Sequence, residues 1–252
     1  MKFVSFASLL CGLIIWQIFS LFQLVDSTYF PPPTLILQRA WILLVEQGDF
    51  REHIISSLQR LLLGQLIAFP LAFILALAST LNKLFRAALS PWVSLIYPIP
   101  KLALFPFFLI LLGTGDSSKI AMIALGSFFL MYLSFELGLR RIYESEYFEI
   151  VRVYRISRLK IFWHIFFKGA LPEIINGIKM GFGYGLVLMV GSEMTMSKNG
   201  LGFYMWNSWD QFQILNMYAC LFWISFLGII SFRFFNFVER NAVSSRIDPS
   251  NQ

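Results

Sequence analysis

The chain has 252 residues, of which 58% are hydrophobic and only 13% charged, with a mean hydropathy of +0.69. Soluble domains average roughly 25% charged residues, so half that value makes lipid the main solvent for this sequence. The net charge of +6 does not point to nucleic acid, because the basic residues sit beside apolar runs, where positive-inside topology accounts for them.

Several kinds of chemistry are excluded at the same level. Cys11 and Cys220 both lie in apolar runs, and His53 and His164 are far apart with no acid or thiol pattern nearby. Neither a disulfide framework nor a metal site is expected, and no cofactor is implied. The sequence has no G-x-x-x-x-G-K-[ST], H-E-x-x-H or G-x-S-x-G, so neither ATP binding through a P-loop nor a hydrolytic enzyme is supported.

Taken in chain order, residues 3–25 form an uncharged first span, about 34 Å long as a helix. It exceeds the roughly 7–15 residues of a signal-peptide core and no A-x-A site follows, so it reads as an uncleaved anchor. Pro31, Pro32 and Pro33 then break the helix. The stretch 35–60 is amphipathic, with Arg39, Glu46, Asp49, Arg51, Glu52 and Arg60, and is expected to lie along the outer surface. Residues 61–81 form a second span, closed by Lys83 and Arg86.

A third span at 87–113 carries Pro91, Pro98, Pro100 and Pro106, and one charge, Lys101. Carbonyls freed by prolines must be satisfied by neighbouring groups, so such a helix is expected to border a path or act as a hinge. The fourth span covers 120–139. The fifth, 170–192, begins with Pro172 and Glu173, where a carboxylate is favoured by the helix dipole, and carries Lys179. Gly177, Gly181 and Gly185 recur every four residues on one face, the spacing that lets another membrane helix approach closely. A glycine-rich nucleotide loop is the alternative for Gly181–Gly185, but no strand precedes it. After an outer segment at 193–212 with Trp206 and Trp209, the sixth span covers 213–232.

Between spans four and five lies a dense polar segment, 140–169, with seven Lys and Arg residues: Arg140, Arg141, Arg152, Arg155, Arg158, Lys160 and Lys168. It is too long for a simple turn and reads as two short helices at the cytoplasmic face, offered to a soluble partner. Of the twenty Lys and Arg residues, thirteen fall in segments assigned inside and five outside, with Lys101 and Lys179 in spans. That bias predicts both termini in the cytoplasm. The reading is an all-α integral membrane protein of about six spans, with 1–252 as one transmembrane domain. Its intramembrane ionisable groups, Lys101, Lys179 and Glu193 next to span five, are candidates for a translocation path together with Pro100. They leave open an ion-coupled secondary transporter, or a membrane subunit that does not transport.

Several motifs add a resemblance. Glu149, Ile150 and Val151, then Ile165, then Gly169-Ala170-Leu171-Pro172 resemble the cytoplasmic loop of permease subunits of binding-protein-dependent ABC importers of the nitrate, sulfonate and taurine type. Pro100-Lys101-x-Ala103-x-x-Pro106, Gly113-x-Gly115-Asp116-Ser117-Ser118-Lys119, Ser57-Leu58-x-Arg60, and Ser192-Glu193-Met194 with Gly200-Leu201-Gly202 fit as well, so the resemblance covers about residues 30–240. It implies a type I importer permease and a loop that docks ATPase subunits through Glu149, Ile150, Val151, Arg155, Ile165, Gly169 and Pro172. The further partners implied are a second permease copy or paralogue, an extracytoplasmic solute-binding protein and membrane lipid. The solute would be a small organic or inorganic anion or a similar small molecule, and the location a bacterial inner membrane. ATP hydrolysis would belong to a partner subunit. Two positions depart from the family: Arg155 stands where it has glycine, and Lys168 where it has proline. Arginine makes the sharp bend allowed by glycine less favourable.

Overall fold

A computed structural model describes residues 2–145 and 167–244. The central part of the polar segment, with Glu149, Ile150, Val151, Arg155 and Ile165, lies outside the described residues.

Helix α1 (Lys2–Leu21) is followed by a proline-rich turn, and α2 (Pro33–Glu46) starts with proline in its first turn, where the missing N–H costs nothing. Helix α3 (Gly48–Leu81) is the longest, at 34 residues. It ends before Asn82, whose side chain accepts hydrogen bonds from the N–H groups of Leu84 and Phe85 (2.9 and 3.2 Å) and so caps α4 (Lys83–Ile96). A 3-10 turn over Lys101–Leu104 leads into α5 (Phe105–Leu112), which ends at Gly113 with φ +80°, a conformation suited to glycine. Helix α6 (Asp116–Tyr143) has an acid in its first turn and Arg140 and Arg141 in its last, as the helix dipole favours. Helices α7 (Lys168–Met196), α8 (Leu201–Asp210) and α9 (Ile214–Ser244) complete the described chain.

Among the described residues, four helices are long and apolar enough to cross a membrane: α3, α6, α7 and the Ile214–Asn241 part of α9. A fifth candidate is the pair formed by α4 and the segment Lys101–Leu112, bent by 91°. The sequence suggested one span at 87–113. Within it α4 ends at Ile96 and the chain bends before Lys101, in a stretch where Pro98 and Pro100 have no N–H to continue the helix ladder. Helix α1 supplies a shorter apolar stretch, Ala7–Leu21.

A second difference concerns 35–60, expected to run as one amphipathic surface stretch. The chain breaks at Gln47, and from Gly48 onward the polar residues belong to the same helix as the span after them. Charge alone does not stop a helix, and neither glycine nor proline intervenes between Asp49 and Arg60.

The chain divides into two compact units. One comprises Met1–Ser57 and Glu193–Leu227, with a core of Ala40, Leu43, Phe50, Leu201, Ala219 and Cys220. There the Trp223 indole donates to the Ala40 carbonyl (3.0 Å), and Phe50 meets Tyr204 edge to face. The other comprises Leu58–Ser192 and Gly228–Gln252. In it Ala68, Ala72 and Ala76, all fully buried, form a small-residue stripe on α3 in one cluster with Met131, Tyr132 and Phe135 of α6. Small side chains let backbones approach, which is where membrane helices gain packing energy.

Candidate functional site

The polar residues of the spans gather at four places. The first caps α8. An N-terminal helix end leaves its first N–H groups without helical partners. Here the Gly200 N–H donates to His53 Nδ1 (3.0 Å), the Leu201 N–H to Ser57 Oγ (2.7 Å), and the Gly202 N–H to Glu193 Oε2 (3.0 Å). The Ser57 hydroxyl in turn donates to the Glu193 carboxylate at 2.8–2.9 Å, and both residues are fully buried. Gly200 has φ +114°, and any Cβ there would strike that carboxylate. Glu193 is thus a buried anion facing the positive end of a helix, where amides and dipole compensate its desolvation.

The second place is the break after α4. Lys101 is 3% exposed, and its ammonium donates to the carbonyls of Ile96, Tyr97 and Ile99 at 2.7–3.0 Å, while lying 4.8 Å from the Phe129 ring centre. Pro100 has no N–H to offer the Ile96 carbonyl, which also accepts the Ile99 N–H (3.2 Å). The ammonium ties three carbonyls of the break together.

The third joins Arg60, Asp116 and Lys119. Arg60 donates through Nε and Nη2 to Asp116 Oδ1, both at 2.8 Å, and Lys119 donates to the Thr114 and Gly115 carbonyls at 3.0 Å. Lys119, 2% exposed, so closes the turn that opens at Gly113.

The fourth is the glycine face of α7. Added Cβ atoms would meet Ser134 and Phe135 from Gly177 (2.8 Å), Met131 from Gly181 (2.9 Å), and Gln65, Ser127 and Leu61 from Gly185. The stripe therefore lies against α6, and at Gly185 against α3 as well. Ser127 Oγ donates to the Gly181 carbonyl (2.9 Å), and Gln65 Nε2 donates to Ser127 Oγ (2.8 Å). Sequence reasoning passed over Gln65 and Ser127. A lone amide in an otherwise uncharged span was the signal available, since a buried amide demands a partner.

Lys179 stands apart from these, donating to Asn236 Oδ1 (2.7 Å), pairing with Glu239 (3.5 Å) and lying over the Phe232 ring. At the two ends of the polar segment α6 and α7 are tightly joined. Gly169 packs on Ile142, Gly138 on Glu173, Arg141 pairs with Glu173 (3.4 Å), and Arg140 with Glu144 (2.8 Å). Pro172 lies inside α7. Among the described residues no cluster of His, Cys, Asp and Glu could hold a metal.

Long apolar helices, a proline-broken segment capped by a buried lysine, and ends of a polar segment clamped together define a multi-pass membrane protein. Many of its polar side chains hold backbone groups in place. The family described as the binding-protein-dependent transport system inner membrane component matches residues 68–243, and the chain belongs to that family. It is a permease component of an importer in the inner membrane. The chain is 29% identical over 204 residues to the taurine transport system permease protein of Escherichia coli (strain K12), covering 79% of this chain and 74% of that protein. It is 27% identical over 238 residues to a putative aliphatic sulfonates transport permease protein of Bacillus subtilis (strain 168), covering 92% and 83%. To the nitrate import permease protein of Synechocystis sp. it is 25% identical over 235 residues, covering 90% and 84%. Among solved structures it is similar to a chain of the MetNI methionine ABC transporter in inward-facing conformation, with a TM-score of 0.62, 17% identity, and coverage of 83% and 96%. That likeness gives the fold, a type I importer permease.

Proposed function

We propose that this chain, paired with a second permease copy or paralogue, forms the path by which a small anion crosses the membrane. A soluble ATPase docked on the 140–169 segment would drive it, and an extracytoplasmic binding protein would deliver the solute. The family match over 68–243 carries this reading. The anion class rests on the taurine, sulfonate and nitrate permeases it resembles. The Lys and Arg distribution supports both termini, and the docking segment, on the cytoplasmic side.

Within that scheme Glu149, Ile150, Val151, Arg155 and Ile165 contact the ATPase, and Gly169 and Pro172 set the return into α7. Clamping of α6 to α7 at Gly138, Gly169 and Glu173 supports a rigid base for the segment, through which a push on it would be passed to both helices. The bent pair with Pro100 and Lys101 borders the path. Glu193 and Lys179, whose polar atoms already have partners, shape its walls. Gly177, Gly181 and Gly185 keep α7 close to α6.

Reconstitution into vesicles with an ATPase and a binding protein encoded beside it tests the scheme. Uptake of a sulfonate or nitrate that needs ATP and the binding protein is expected. Uptake driven by a proton or sodium gradient without ATP would replace this reading with a secondary transporter.

A further inference from the structure

The unit made of Met1–Ser57 and Glu193–Leu227 holds two adjoining concavities that none of the roles above uses. The first is a cleft of about 490 Å³ lined by Thr28, Arg39, Phe212 and Asn216, among others. Arg39 is fixed through its Nε, which donates to Asn216 Oδ1 at 2.6 Å. Asn216 is held by Gln213 Oε1 (2.5 Å), and the Gln213 N–H by the Ser208 carbonyl (2.8 Å). The two terminal amino groups of Arg39 make no hydrogen bond or ion pair among the described residues. Asp26 near the rim is turned to its own backbone: it accepts the Thr28 N–H (2.8 Å), which holds its carboxyl below the usual range. Phe212, with φ +56° and 75% exposed, stands at the mouth in a backbone conformation that a bulky residue rarely takes.

The second is a groove of about 300 Å³ lined by Leu13, Trp16, Leu37, Tyr218, Leu221 and Phe222. It follows the cleft along α9, where the cleft uses residues up to Asn216 and the groove those from Tyr218 on. It is almost wholly apolar, and the Trp16 indole N–H has no acceptor among the described residues. The helix carrying Arg39 also exposes Leu37 and Trp41, as an interfacial helix does.

We propose that cleft and groove together bind one anionic glycerophospholipid, its phosphate on the Arg39 fork and an acyl chain in the groove beside Leu221. A guanidinium anchored at Nε presents its remaining donors as a planar fork that fits phosphate oxygens in pairs. A free solute anion has no use for an apolar groove lined by the same two helices as the fork, and this decides for the lipid. The inference needs only that the chain spans a membrane and is independent of the solute.

The test compares the assembled importer with its Arg39→Gln, Arg39→Lys and Ser225→Trp variants in bilayer discs of equal phosphatidylglycerol and phosphatidylcholine. Ser225 lines the groove, so tryptophan there fills it while leaving Arg39 untouched. Retained lipid is counted by native mass spectrometry on particles that elute as the intact assembly. Arg39→Gln should lower phosphatidylglycerol retention about tenfold, as loss of a charge-assisted pair of hydrogen bonds would. Arg39→Lys should keep part of it, and Ser225→Trp should lower retention with Arg39 present. Equal retention in all four proteins overturns the proposal. Retention that inorganic sulfate or phosphate displaces, and that Ser225→Trp leaves unchanged, also overturns it and makes Arg39 a simple anion subsite.

Discussion

Ser57 and Glu193, 136 positions apart, are both fully buried and joined by hydrogen bonds of 2.8–2.9 Å. Each also takes one N–H from the start of α8, so the pair fixes where that helix begins.

Removing the carboxylate therefore orphans buried donors. Glu193→Ala is expected to cost about 1–3 kcal/mol for each group left unpaired, the Ser57 hydroxyl and the Gly202 amide. Glu193→Gln keeps one acceptor oxygen and should lose less. Thermal melting of the purified assembly reads both. An unchanged melting temperature for Glu193→Ala would remove the structural role and return Glu193 to the path.

Lys101 invites a parallel experiment on the broken helix. Lys101→Met keeps the length and apolar stem but takes the ammonium from the carbonyls of Ile96, Tyr97 and Ile99, of which Ile96 keeps the Ile99 N–H. Buried unpaired carbonyls are costly in lipid, so the variant should insert poorly or melt several degrees lower. Lys101→Gln, with two donors, should fall between. If Met is as stable as Lys and transport alone fails, the ammonium serves the solute instead.

Much of this was legible because lipid simplifies the grammar. The run at 61–81 is uncharged and that at 120–139 carries only Glu136, so both read as spans, and α3 and α6 run through them. Prolines announced a break at 87–113, but neither its 91° angle nor the buried Lys101 over the Phe129 ring is contained in a local pattern. The polar nodes were hidden for the same reason. Arg60 meets Asp116, and His53 meets Gly200, only through tertiary packing. Gly191 lies off the four-residue glycine stripe, yet it is not in open space. A Cβ there would come within 2.7 Å of Leu102.

That contact makes Gly191 a poor control for the glycine stripe, and Gly183 a better one. Gly181→Leu would drive a side chain into Met131 and the Ser127 carbonyl, whereas Gly183 has nothing within 4 Å of an added Cβ. Overpacking a tight contact costs about 1–3 kcal/mol or more. Gly181→Leu should lose assembly or uptake while Gly183→Leu stays near wild type. Equal tolerance at both would reduce the stripe to a bend-permitting feature.

Topology can be read directly. A reporter fused after Arg158 should report the cytoplasm, and one after Asn207 the outside, given the excess of basic residues in the segments assigned inside. Reversed signals would move the 140–169 segment to the wrong face for an ATPase.

The last expectation concerns that segment. Its two ends are held by Gly138, Glu173 and Gly169, so a partner pulling on the middle would move α6 and α7 together. Glu149 is the acid at the position where the resembling permeases carry one, and Phe148, Val151 and Tyr154 flank it at spacings suited to a helix set in a groove. Glu149→Arg should uncouple ATP hydrolysis from uptake and weaken ATPase co-purification, while the protein still inserts and melts as wild type. Arg155→Gly, which supplies the flexibility usual at that position, should be tolerated. Both variants are compared in the same vesicles, with hydrolysis and uptake measured together. Intact association and uptake in Glu149→Arg would mean that the ATPase docks elsewhere, and the clamp between α6 and α7 would then transmit nothing from this loop.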